Sequence, residues 1–232
     1  MIPIRDTAPC HSRPLVTWGI MAICIIVFVA MKLMPDQLSY RLINLYGMVP
    51  IRYTNPYYGL PFDGYLSFLT SLFLHGNWLH LIMNMWFLFI FGDNVEDRMG
   101  RLPFLIFYVV CGLLATFLQW LFDPNLAIPV VGASGAIAGV LAAYFFLYPL
   151  ERVVVWIPIL FLPIVIHVPA IGFLGLWILV QLHSATTAMI FGGVAVDVAW
   201  WAHLGGFIAG SVLYRFFLRK NEPDQAEKNE LF

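Results

Sequence analysis

The chain alternates long apolar runs with short polar stretches. Leu15 to Met34 is apolar except for Lys32 near its end. Tyr65 to Phe91 carries no charged residue and is interrupted by His75-Gly76-Asn77. Leu102 to Phe122 and Gly132 to Leu147 are two further runs, and Val198 to Leu218 is the last. Between them, Val153 to Val196 contains no Asp, Glu, Lys or Arg. These runs are continuous rather than alternating, so they read as helices. Asn77 is placed to cap a helix that begins near Trp78. Pro158, Pro163 and Pro169 break the first part of the Val153–Val196 run, which suits an interfacial segment. A helix is then expected from about Pro169 to His183 and beyond. The polar connections are a first loop at about 35–64, a charged turn from Gly92 to Arg101, and a proline-bearing loop from Asp123 to Val131.

Composition turns these helices into membrane spans. Of 232 residues, 61% are hydrophobic and only 11% charged, and mean hydropathy is +0.85. Soluble domains carry about 25% charge. A polytopic all-α membrane protein follows, because hydrocarbon admits only helices or closed barrels. The net charge of −1 gives no reason to expect a nucleic-acid partner. Cys10, Cys24 and Cys111 lack metal-ligand spacing, so neither a metal site, a disulfide nor a cofactor is expected. The N-terminus lacks a charged region feeding a short apolar stretch and cleavage site, so the first run is read as a retained helix.

Basic residues set the count and orientation. With six spans and both termini in the cytoplasm, Arg5, Arg13, Arg98, Arg101, Arg152, Arg215, Arg219, Lys220 and Lys228 lie inside. Only Arg41, Arg52 and Lys32 lie outside, as the positive-inside rule prefers. Seven spans would strand the basic C-terminus outside and put Ser134 and His203 at opposite faces. The expected organisation is a cytoplasmic segment at 1–14, a six-helix domain at 15–218 and a cytoplasmic tail at 219–232. The expected location is the cell (inner or plasma) membrane.

Two polar residues then stand in costly places. Ser134 enters the fourth span and His203 lies in the second turn of the sixth, and a histidine within a span calls for a partner. Spans two, four and six run in the same direction, so His80, Ser134 and His203 fall within roughly 10 Å of their helices' outer ends. Gly135 and Gly139 form one small-residue stripe, Gly206 and Gly210 another, and such stripes let helices approach closely. His203 shares the stripe of Gly206 and Gly210, so span six against span four brings it toward Ser134. His80 and Asn84 share a face and supply donors for a developing oxyanion. A serine with an adjacent histidine is the minimal kit for acyl transfer.

At this point the chain resembles the rhomboid family of intramembrane serine proteases. The matching residues are His75-x4-His80-x3-Asn84, Gly92-x3-Glu96-Asp97-x2-Gly100, Gly132-Ala133-Ser134-Gly135 and Ala202-His203-x2-Gly206-x3-Gly210. The resemblance implies a Ser134 nucleophile, a His203 general base without an aspartate, and an oxyanion hole of His80, Asn84 and the Ser134 N–H. It puts His75 near the outer mouth, Gly132 and Gly135 beside the nucleophile, and Glu96 bracing helix ends from inside. It implies transmembrane protein substrates cleaved near the outer leaflet, within the lipid bilayer. Well-known members carry an aromatic residue four places after the nucleophile, stacked on the histidine; here that residue is Ala138. Trp200, Trp201 or aromatics of the second span are then expected to orient His203. Only Arg52-Tyr53 stands where members often show a Trp-Arg pair in the first loop. Gln119 is a candidate for holding water near the site.

Other classes fit less well. Zinc proteases need His-Glu-x-x-His, which is missing, as are paired aspartates within spans. A transporter would show inverted repeats or charges in mid-span. A proteolytically silent relative that only binds transmembrane helices would lack the serine or the histidine.

Overall fold

The computed structural model describes residues 2–59, 64–159, 162–191 and 199–219. Within these, the elements run β1 (Ile2–Asp6), α1 (Leu15–Lys32), α2 (Asp36–Tyr46), α3 (Ile51–Thr54), α4 (Ser67–Thr70), α5 (Trp78–Met99), α6 (Arg101–Phe122), α7 (Ser134–Leu147), β2 (Arg152–Ile159), β3 (Leu162–Pro169), α8 (Ala170–Phe191) and α9 (Trp200–Phe217). The apolar runs become α1, α5, α6, α7, α8 and α9. Among the described residues, three stretches, Leu15–Lys32, Arg101–Phe122 and Ala170–Ile190, are helical and long and apolar enough to cross a membrane. The tail beyond Arg219 and the 60–63 part of the first loop lie outside the described residues, as does Val198 at the expected start of the last span.

Helix α7 is the axis of the bundle. Every residue from Gly135 to Tyr144 is buried, and α5, α6, α8 and α9 all pack on it. Small residues make this possible. A Cβ at Gly206 would overlap the Gly135 carbonyl, and one at Gly210 would overlap the Gly139 carbonyl. At Gly139 a Cβ would fall 2.6 Å from Cys111 Cβ on α6. The backbones of α7 and α9 therefore touch along both glycine pairs, as the stripes predict.

Helix α5 is longer than its apolar run. Residues expected to form a charged turn are helical through Met99, and the chain reverses at Gly100, whose φ of +85° suits glycine. The charges are tolerated because they are engaged. Glu96, 1% exposed, accepts from the Val16 and Thr17 amides at 3.0 and 2.8 Å and from Thr17 Oγ1 at 2.8 Å. It thereby caps α1, which has no side-chain cap of its own. Asn94 Nδ2 donates to the Ala8 and Pro9 carbonyls, and Asp97 accepts from the His11 amide.

The fold is mostly helical but not all-α, which corrects the sequence expectation. A three-stranded antiparallel sheet in the order β1-β2-β3 joins the N-terminus to the segment after α7. The β-branched and aromatic run Val153-Val154-Val155-Trp156-Ile157 favours strand, and Pro158 faces Pro163 close to the hairpin turn, where missing N–H groups cost least. The prolines that exclude a helix here are thus compatible with a hairpin. The N-terminal segment joins it and is tied down by Trp86 Nε1 donating to the Pro3 carbonyl at 2.6 Å and Tyr144 Oη donating to Asp6 at 2.5 Å.

Candidate active site

Three helix starts converge on one cavity. Asn77 has the extended backbone of an N-cap, and its side chain accepts from the His80 amide at 2.8 Å. That cap puts His80 in the first turn of α5, with Asn84 one turn deeper on the same face. Ser134 is the first residue of α7. His203 is the fourth residue of α9, which runs from Trp200 to Phe217. A cavity of about 560 Å³ is lined by His80, Asn84, Ser134 and His203, together with Trp177 of α8. The sequence-predicted polar set thus shares one space, without a direct hydrogen bond between Ser134 and His203 among the described residues.

The loop before α7 is fixed by backbone pairing. Met48 and Val130 exchange hydrogen bonds at 3.1 and 2.7 Å, and the Gly132 amide donates to the Ser71 carbonyl at 2.9 Å. Gly132 has φ +130°, a conformation that side chains resist. A Cβ there would meet His80 Nε2 at 2.6 Å and lie 3.6 Å from Ser134 Oγ. Glycine at 132 therefore lets the loop pass between the imidazole and the hydroxyl. Gly135 gives α6 and α9 the same licence one turn lower, since its Cβ would lie 2.6 Å from Ala115 Cβ.

Asn84 is 6% exposed, and its Nδ2 has no hydrogen-bond partner. A buried donor left unpaired costs about 1–3 kcal/mol, so this amide is poised for an acceptor that enters the cavity. His75 stands next to His80. It does not line the cavity but sits behind His80, 2% exposed, with ring centroids 5.1 Å apart and both ring nitrogens unpartnered. Burial first, and the neighbouring His80 second, lower its pKa to about 3.

His203 is held from α8 and from its own helix. Its Nδ1 lies 2.6 Å from Gln181 Oε1. The Trp177 ring is 6.0 Å away at a 35° tilt, and Trp200 stands edge-on at 6.1 Å. Trp201 instead stacks on Phe122 at 4.1 Å. Gln181 and Trp177 are missed by motif reasoning, although an amide in a charge-free helix carries the same signal as a histidine in a span. Gln119 has both ends of its amide engaged. Its Oε1 accepts from the Ala202 amide at 3.1 Å and its Nε2 donates to Asp123 at 2.8 Å. It ties α6 to the start of α9 and lines a neighbouring cavity of about 500 Å³. In the first loop, Arg52 donates to the Asn44 carbonyl at 2.5 Å.

Comparison with known proteins identifies a family. The rhomboid domain model matches residues 63–220. The chain is 41% identical over 81 residues to rhomboid-like protein 11, chloroplastic, of Arabidopsis thaliana, covering 35% of this chain and 29% of that one. It is 30% identical over 168 residues to rhomboid protein 1, mitochondrial, of Saccharomyces cerevisiae, covering 70% and 44%. It is 30% identical over 113 residues to rhomboid protease GlpG of Salmonella choleraesuis, covering 47% and 36%. The chain spans less than half the length of each of these relatives. With its glycine-paired helices and a family match over most of its length, the chain belongs to the rhomboid family of membrane proteins.

Proposed function

We propose that this chain is an intramembrane serine endopeptidase that cleaves transmembrane segments of protein substrates near the outer leaflet. Its six long helices cross the membrane with both termini in the cytoplasm, as the basic residues favour. Helix α7, with 14 residues, is about 21 Å long at 1.5 Å per residue, against roughly 30 Å of hydrocarbon. Its N-terminus therefore lies below the membrane surface, and the largely apolar cavity that Ser134 shares with His80, Asn84 and His203 admits water and an unwound substrate.

In the reaction, His203 Nε2 takes the Ser134 proton as Oγ attacks the scissile carbonyl. Negative charge gathers on the carbonyl oxygen. Asn84 Nδ2, the His80 ring and the Ser134 N–H, which has no intrahelical partner at the first helical position, donate to it. The positive end of the α7 dipole points at the same spot. His203 then returns the proton to the leaving amine, and water attacks the acyl-enzyme by the same base and acid. No cofactor is needed.

The reading is supported by one observation above all: Asn84 lines the cavity of Ser134, and its buried Nδ2 has no hydrogen-bond partner. The test is cleavage of a fluorescent transmembrane peptide in proteoliposomes. Wild type is expected to cut it, and Ser134→Ala and His203→Ala to leave it intact; cleavage surviving in Ser134→Ala would reject the proposal. Two relatives are named for the mitochondrion and the chloroplast; for this chain we propose the cell membrane, to be checked by fractionation.

A further inference from the structure

We infer that Gln181 of α8 is a positioning residue that selects the tautomer of His203. The inference rests on the Ser134–His203 reading and adds what that pair leaves open. A histidine can accept a serine proton at Nε2 only while Nδ1 carries the ring hydrogen. Gln181 Oε1 lies 2.6 Å from Nδ1, and a carbonyl oxygen there accepts from an Nδ1–H and from nothing else on the ring. The opposite tautomer would set a lone pair against the acceptor.

The surroundings leave this task to Gln181. Aspartate and glutamate are missing from Val153–Val196, so α8 offers His203 no carboxylate. Ala138 supplies only a methyl, and the close approach of the helices excludes a ring: a Cβ at Gly206 would sit 3.2 Å from Ala138 Cβ. Trp200 meets the imidazole edge-on and belongs to the same helix, which fixes ring tilt but not protonation. Gln181 is 7% exposed, so water competes little for its carbonyl. Trp177, one turn earlier on α8, sets its ring 6.0 Å from the imidazole at a 35° tilt.

The test compares full-length Gln181→Leu, which removes the acceptor, with Gln181→Glu, which keeps an acceptor oxygen at the same reach. In [15N]histidine-labelled protein, the His203 signals are identified by their loss in His203→Ala. Wild type and Gln181→Glu are expected to show the Nδ1–H form, and Gln181→Leu a mixture shifted to Nε2–H. In proteoliposomes Gln181→Leu is expected to lose about tenfold or more in kcat at unchanged KM, while Gln181→Glu stays within about threefold of wild type. If Gln181→Leu does not fold, Gln181→Met replaces it. An unchanged tautomer with wild-type kcat in the apolar variant would overturn the inference. The tautomer is read without turnover, so failure of the dyad itself, seen as cleavage by Ser134→Ala, is recorded separately.

Discussion

Gly206 of α9 lies so close to the carbonyl of Gly135 of α7 that no Cβ fits between them. This contact sets the depth of His203 relative to Ser134, because each stands within one turn of its glycine. Gly206→Ala is expected to force α9 away from α7. Overpacking of this kind costs about 1–3 kcal/mol. The variant is predicted to melt at lower temperature in detergent and to lose most activity, whereas Gly19→Ala, where a Cβ meets nothing within 4 Å, is predicted to change neither.

Asn84→Ala removes the donor without opening the backbone. Oxyanion donors act on the transition state, so the loss is expected in kcat rather than KM, by about 10²–10³. Steady-state kinetics on a transmembrane peptide checks this. A raised KM with unaltered kcat would make Asn84 a substrate-binding residue instead.

Glu96 caps α1 from another helix. Glu96→Leu leaves the Val16 and Thr17 amides without their acceptor and is expected to cost about 2–4 kcal/mol. Glu96→Gln keeps one acceptor oxygen and is expected to fall between Leu and wild type. Thermal melts in detergent rank the three.

His75 predicts a pH dependence of stability. Its pKa is lowered to about 3 in the folded chain and is about 6.5 when exposed. Below pH 6.5 the unfolded chain takes up a proton that the folded one refuses until about pH 3. Stability from this group is therefore full above the unfolded pKa and falls as pH drops through that window. His75→Gln is expected to flatten the acid side of the melting-temperature profile; an unchanged profile would assign the loss to other groups.

Legibility followed the physics of each segment. Among the described residues, the six longest helices could be read because each follows a continuous apolar run, and the α7–α9 contact because glycines repeat every four residues. Asn77 was readable as a cap from its place before Trp78. The hairpin was hidden because proline argues against helix without arguing for strand, and its β1 partner lies more than a hundred residues away in sequence. The polar end of α5 read as a turn because its charges find partners on α1 and the N-terminal segment, which local sequence does not reveal. His75 was placed near the outer mouth by the family resemblance alone, and its surroundings are set by the fold of the chain before α5. Gln181 belongs to no motif; as an amide in a charge-free helix it carried a signal, and its distance to His203 gives that signal a partner.

The proposed function stands or falls with Ser134 as the nucleophile. Treating the purified chain with a fluorophosphonate and mapping the adduct by mass spectrometry tests it most directly. A single modified residue, Ser134, is expected, with labelling abolished in Ser134→Ala and strongly reduced in His203→Ala. An adduct on another residue, or labelling that persists in Ser134→Ala, would contradict it.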